Sequence, residues 1–266
     1  MALRQRLGEV GRRSFTSHIR LSNTKKQRGM LLSVVIPAFN EERYLPETLS
    51  SLRAAITSCR CSVELIVVDN ASMDRTADVA RTFGATVVHE HVHNVARVRN
   101  VGARSAHGDA LVFVDADTVA PQRFLDKIAE AMSDPACIGG SADIIHRARS
   151  RLLRAYFKAW RWIGIKLGMA QGAAQFCRMA AFGTLNGYDE SQFMGEDVDF
   201  YWRLRKLSAK AGGYLKFLDD VQVLPSPRRF DNTAIWRTLI WTNPVFIAPL
   251  RKTKAVWAGW YVRPPR

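Results

Sequence analysis

Four short runs of apolar, largely branched residues constrain this chain most: LLSVVIPAFN from Leu31, VELIVVDNAS from Val63, ATVVH from Ala85 and ALVFVDAD from Ala110. Between them the spacing turns helical. Leu45, Leu49, Leu52 and Ile56 follow the first run, a short helix over about Asp74 to Thr82 follows the second, and Asn94 to Ala106 follows the third. Continuously apolar strands that alternate with amphipathic helices predict an α/β fold, a mostly parallel sheet covered by helices on both faces. With 266 residues, 47% of them hydrophobic, the chain has enough apolar surface for one such core.

In such sheets ligands gather at the carboxyl ends of the strands. The residues expected there are Asn40, Glu41, Asp69, Asn70, Asp115 and Asp117, an acidic and amide-rich set. Neither a Walker lysine motif nor GxGxxG accompanies them, which argues against a P-loop or an ordinary dinucleotide site.

Beyond Pro121 the pattern loosens. A helix is expected near Pro121 to Met132, a strand at CIGGSADI, and a helix over Arg151 to Lys166 with Leu152, Leu153, Tyr156, Trp160 and Ile163 on one side. AQFCRMAAF reads as a further strand, LNGYDE as a turn, and GEDVDFYWRLRKL as a helix carrying Val198, Tyr201, Leu204 and Leu207. This divides the chain into a basic N-terminal arm (1–29), a globular domain (30–230) and a Trp- and Arg-rich segment (231–266) interrupted by Pro244 and Pro249.

Asp115 and Asp117 stand two residues apart, and side chains at i and i+2 of an extended chain point the same way. Two adjacent carboxylates are costly unless a cation or proton offsets them. A hard divalent ion held by both and completed by substrate phosphate oxygens fits this pair. The competing reading is a cap for the helix beyond Pro121.

Taken together and in order, VVIPAFNEERYLPETLSSL, ELIVVDNASMDRTADVA, ARVRNVGARSAHGDALVFVDADT and MGEDVDFYWRLRK resemble a family 2 glycosyltransferase of the GT-A fold, over roughly Leu31 to Arg229. The resemblance implies a Rossmann-like central sheet with a smaller acceptor-side region. It also implies inverting sugar transfer from a nucleoside diphosphate sugar with Mg²⁺ or Mn²⁺. On the matching positions, Pro37, Ala38 and Glu41 would border the nucleotide and Asp69 would bond the base. Arg99, Asn100 and Gly102 would face the donor, Asp115 would reach the ribose or sugar, Asp117 would bind the metal, and Asp197, paired with Glu196, would be the general base. LPSPRRF lacks the metal-binding histidine that many GT-A enzymes carry near this point. Arg228 and Arg229 are assigned instead to the diphosphate, against a solvated basic turn.

Charge bears on partners. The chain holds 39 Lys and Arg against 24 Asp and Glu, and residues 1–29 contribute eight basic residues and one acid. An anionic partner follows: nucleotide phosphates, an anionic membrane surface, or nucleic acid. Nucleic acid is disfavoured because the ligand edge is itself acidic. A nucleotidyltransferase acting on sugar phosphates shares the nucleotide and the strand-end aspartates, but IPAFNEERY lacks its Gly-rich loop. Aromatics interleaved with cations at Arg147 to Trp162 and from Ile235 onward suit an anionic leaflet, with a lipid-linked acceptor, or else line an acceptor pocket.

No run is long and apolar enough to span a bilayer. Cys59, Cys61, Cys137 and Cys177 form no CxxC, so reduced thiols in a cytoplasmic setting, with peripheral attachment to the cytoplasmic face of a membrane, is the expectation. The acid-poor N-terminus resembles a transit peptide, against a disordered arm or a misread start before Met30. The alternating His89, His91 and His93 read as a strand end and loop.

Overall fold

The computed structural model describes residues 29–170, 172–231 and 233–257; the basic arm, apart from Gly29, lies outside the described residues. Strand β1 (Leu31–Ala38) is central, with β2 (Ser62–Asp69) and β4 (Ala110–Phe113) parallel on either side and β3 (Thr86–His89) parallel to β2. Its apolar run is explained by burial on both faces. Leu32, Val34 and Ile36 join a layer with Leu45, Leu49 and Leu52 of α1 (Leu45–Ser58) and Phe124 and Ile128 of α4 (Phe124–Ser133). Val35 faces the other way, packing with Ile66, Val68 and Phe113 under α3 (Val95–Arg104) and α7 (Glu196–Lys210).

The anticipated helices of this half are present, including α2 (Thr76–Thr82). Asn94 opens α3 by accepting from Arg97 N at 2.9 Å. Gly102 lets α3 lie close to the sheet: a Cβ there would stand 2.4 Å from Val35 Cγ1 and 2.8 Å from Val68 Cγ2. It therefore packs the helix on the sheet.

The sheet continues past β4 with mixed direction. Strand β7 (Gln175–Arg178) is antiparallel to both β4 and β6 (Cys137–Ile144), β8 (Tyr214–Pro225) is parallel to β6, and the two-residue β5 (Thr118–Val119) is antiparallel to β8. The eight-stranded order is β3-β2-β1-β4-β7-β6-β8-β5.

Several expectations are corrected here. Strand β4 stops at Phe113, so Asp115 lies in a loop and Asp117 in the turn to β5, not on one extended strand. AQFCRMAAF is strand only through Arg178, then turns into α6 (Met179–Thr184). Helix α5 (Arg151–Leu167) forms as read, capped by Ser150 and ended by left-handed Gly168, but it buries Leu153 and Phe157 while Leu152 is 64% exposed. Strand β8 was not anticipated. Its buried Leu218 and Val221 are separated by exposed Asp219 and Asp220 at a register shift against β6, and this bulge breaks the alternation that marks a strand. Among the described residues beyond β8 are α8 (Arg228–Asp231), α9 (Ile235–Thr242) and α10 (Pro244–Leu250).

Candidate active site

A cavity of about 410 Å³ opens at the carboxyl ends of β1 and β4, lined by Pro37, Ala38, Glu41, Arg99, Asp115, Asp117, Glu196, Asp197, Arg228 and Arg229. Two buried arginines organise it. Arg99 projects from α3 and is 3% exposed. Its Nη1 donates to Glu196 Oε1 at 2.7 Å and its Nη2 to Asp115 Oδ1 at 3.0 Å, with the guanidinium 5.4 Å from the Tyr188 ring centroid. One side chain thus joins the loop after β4 to the start of α7. Gly172 leaves room for it, since a Cβ there would meet Arg99 Nη2 at 2.4 Å.

Arg228, at the start of α8, bridges Glu41 and Asp117. Its Nη2 donates to Glu41 Oε1, its Nε donates to Asp117 Oδ2 at 3.1 Å, and its guanidinium lies 4.1 Å from the Tyr44 ring centroid. The β5–β8 pairing and Ser226 N, which donates to Asp117 O at 2.9 Å, hold α8 against the Asp117 turn.

Asp197 and Glu196 open α7 after left-handed Gly195, where a helix N-terminus favours carboxylates. Asp197 Oδ2 accepts from Gly172 N at 2.8 Å and Oδ1 from Val198 N at 2.8 Å. Burial raises the Asp197 carboxyl above the ordinary aspartate range, opposed by Arg99 and these two amides. Glu196 rises to about 7, mainly through burial and then through the neighbouring Asp197 charge. Burial likewise pushes Asp117 up and takes Glu41 to about 7 despite Arg228.

Asp69 and Asn100 stand behind the lining rather than in it. Asp69 Oδ2 is 3.1 Å from His89 Nδ1, and Asn100 is tied to Tyr188 and Glu190. Neighbouring Asn70 does border the cavity and engages His93, whose ring lies 4.6 Å from that of Phe39.

The far wall comes from Met169 beyond α5, Phe193 and Trp202, which the sequence reading did not place at a site, and from Trp241 and Ile247 of the tail that it had offered as an acceptor-pocket lining. Tyr156 Oη and Thr242 Oγ1, 2.6 Å apart, join α5 to α9, and Phe193 N donates to Arg251 O at 2.7 Å. The aromatic density around α5 and the tail was the available signal.

Among the described residues no cluster of three or more His, Cys, Asp or Glu side chains is placed to hold a metal. Asp115 and Asp117 each spend one carboxylate oxygen on an arginine and keep the other. Two hard oxygen donors bordering a cavity are a fitting start for a divalent ion whose remaining ligands are phosphate oxygens and water.

The fold and this acid-lined cavity define a GT-A glycosyltransferase fold. A mannosyltransferase, PcManGT from Pyrobaculum calidifontis in complex with GDP-Man and Mn²⁺, superimposes with a TM-score of 0.60 at 22% identity, covering 81% of this chain and 63% of that one. The model of the family described as "Glycosyl transferase family 2" matches residues 33–185, and the chain belongs to that family. Among curated relatives, a validoxylamine A glucosyltransferase of Streptomyces hygroscopicus subsp. limoneus is 35% identical over 112 residues, 40% of this chain and 24% of the relative. An undecaprenyl-phosphate 4-deoxy-4-formamido-L-arabinose transferase of Pseudomonas paraeruginosa is 33% identical over 123 residues, 42% of this chain and 35% of the relative. The matches thus span about a third or less of these relatives' lengths.

Proposed function

We propose that the protein transfers a sugar from a nucleoside diphosphate sugar to an acceptor hydroxyl with inversion, and that Asp197 is the general base. The observation that carries this is the placement of Asp197, held by Gly172 N at the head of α7 in the same cavity as the Asp115–Asp117 turn. An acceptor hydroxyl is a poor nucleophile at neutral pH, and a carboxylate within hydrogen-bond reach takes its proton as the new bond forms. Attack from the face opposite the departing diphosphate inverts the anomeric centre.

Asp115 and Asp117 would hold Mg²⁺ or Mn²⁺, which when bound supplies Lewis-acid stabilisation of the leaving diphosphate. Arg228 and Arg229 add positive charge on that side. Pro37, Ala38 and Glu41 border the nucleotide, with Asn70, Phe39 and His93 beside the base and Asp69 steadied behind them by His89. Arg99, buried under its two carboxylates, positions Asp115 and Glu196, and Asn100 fixes the loop around Tyr188.

The donor is tested by melting the protein with UDP-, GDP- and dTDP-sugars, with and without Mn²⁺. A ligand at 100 times its Kd adds about 2.7 kcal/mol, or roughly 5–10 °C in a domain of this size. One nucleotide should give a Mn²⁺-dependent shift that Asp117→Asn removes. No shift with any of them in folded protein counts against the reading.

An anionic membrane surface is proposed as the place of action. Stretches 144–188 and 232–266 contain no Asp or Glu at all. Exposed apolar residues lie on the same stretches, among them Trp162 at 63% on α5, Trp236 at 59% and Leu239 on α9, and Phe246 on α10. Among the described residues no helix is long and apolar enough to cross a membrane, and the exposed aromatics beside basic residues suit an interfacial contact. A lipid-linked acceptor would then reach the cavity from that side. Co-sedimentation with vesicles should occur with anionic lipid and fall at least tenfold in Trp162→Glu/Trp236→Glu. Equal binding to zwitterionic vesicles, or none to anionic ones, would count against it.

A further inference from the structure

The geometry points to a second duty for Arg228: in the donor-free protein it occupies Asp117, so that a divalent cation settles there only after a diphosphate has drawn the guanidinium away. This rests on the reading of Asp117 as a metal ligand. Three segments distant in sequence meet at this point, the loop after β1 with Glu41, the turn after β4 with Asp117, and the start of α8 with Arg228. Arg228 is buried there, stacked 4.1 Å from the Tyr44 ring centroid, and its helix is anchored to the Asp117 turn by Ser226 N. It is a built contact of two buried side chains, Glu41 and Arg228, with a half-buried one, Asp117, rather than a surface ion pair.

Asp117 Oδ2 already accepts from Arg228 Nε at 3.1 Å. A divalent ion on the same carboxylate would face a fixed positive charge within a few ångströms, in a setting that screens it poorly. Glu41, bordering the same cavity, keeps Oε2 buried with no hydrogen-bond partner among the described residues, so the arginine satisfies the acidic pair only in part. A diphosphate offers the planar guanidinium a multiply charged partner whose oxygens it binds through paired N–H donors. Once Arg228 turns to the phosphate, Asp117 Oδ2 is released. Metal and donor affinities are then coupled, each raising the other by the same factor.

This coupling differs from that of a site whose third ligand is a protein side chain, because such a site holds metal before donor. Arg228 is a positioning residue here, acting through Asp117. The consequence can be read without turnover.

The test titrates Mn²⁺ alone into wild type, Arg228→Met and Arg228→Lys, following loss of the electron paramagnetic resonance signal of the free ion. Arg228→Met keeps the stem on Tyr44 and removes the charge, and its Mn²⁺ affinity is expected to be at least tenfold tighter than wild type. Arg228→Lys keeps a charge without the fork and should bind Mn²⁺ more tightly than wild type by a smaller factor; it decides the matter if the methionine variant does not fold. Wild-type or weaker Mn²⁺ affinity in the folded variants overturns the inference. The same titrations with UDP and GDP separate the two levels of the argument. If Asp117→Asn abolishes Mn²⁺ binding with diphosphate while the Arg228 variants bind Mn²⁺ as wild type does, only the role of Arg228 falls. If Asp117→Asn leaves it intact, the metal assignment falls and this inference with it.

Discussion

Asp197→Asn is expected to lower sugar transfer by about 10²–10⁴-fold, the usual contribution of a positioned base, while donor binding and melting temperature change little. The amide keeps the shape and can still accept from Gly172 N, which Asp197 Oδ2 meets at 2.8 Å. It loses the acceptor that meets Val198 N, a net cost of about 1 kcal/mol. An opposing gain offsets this. Burial raises the Asp197 carboxyl, so the folded state holds its proton to a higher pH than the unfolded chain does. Stability therefore falls as pH rises from the ordinary aspartate value to the raised one, and stays lower above it. An amide has no such loss.

The same shift sets the activity profile. The base must be ionised, so wild-type turnover should fade on acidification at a pH above the ordinary aspartate range. Measured kcat for the variant and a pH–rate profile for wild type check both parts. Normal turnover in folded Asp197→Asn would remove the base from the scheme.

The first half of the fold was legible because its information is local. In β1 the alternation of Val34 and Val35 between two cores requires an unbroken apolar run, and the helices that follow carry their own periodicity. Asp69 and Asp115 were legible for the same reason: each directly follows such a run. What the side chains at the site touch was not. Arg99 reaches Glu196 across 97 residues and Arg228 reaches Glu41 across 187, and no local pattern encodes pairings that only the completed sheet creates. Gly102, placed by motif near the donor, has a packing reason in the Val35 and Val68 methyl groups that the sequence alone does not display. The edge beyond β7 was least legible, because β8 carries a bulge at two exposed aspartates and α5 is apolar around much of its circumference.

The largest stability effect is expected at Arg99. Replacing it with Met preserves much of the volume but strips from Glu196 Oε1 the cation hydrogen-bonded to it, and the side chain of Arg99 is almost wholly enclosed. Breaking a buried pair from one side costs about 3–5 kcal/mol because the remaining charge is left uncompensated. In a domain of this size that corresponds to a fall in melting temperature of roughly 6–20 °C. The cost depends on pH in a direction that can be worked out. Glu196 already titrates near 7 with Arg99 in place, and losing that cation raises it further. Below the raised value the Glu196 carboxyl takes up a proton and its own charge is no longer left uncompensated, so the deficit should be larger at pH 8.5 than at pH 5.5. Arg99→Lys restores charge but cannot fork to both Glu196 and Asp115, so it should recover part of the stability and little of the turnover. Thermal melts of the three proteins at the two pH values give the result directly. A deficit equal at both would show that the arginine acts through packing against Tyr188, and one below about 1 kcal/mol at pH 8.5 would show that Glu196 is neutral in the wild type.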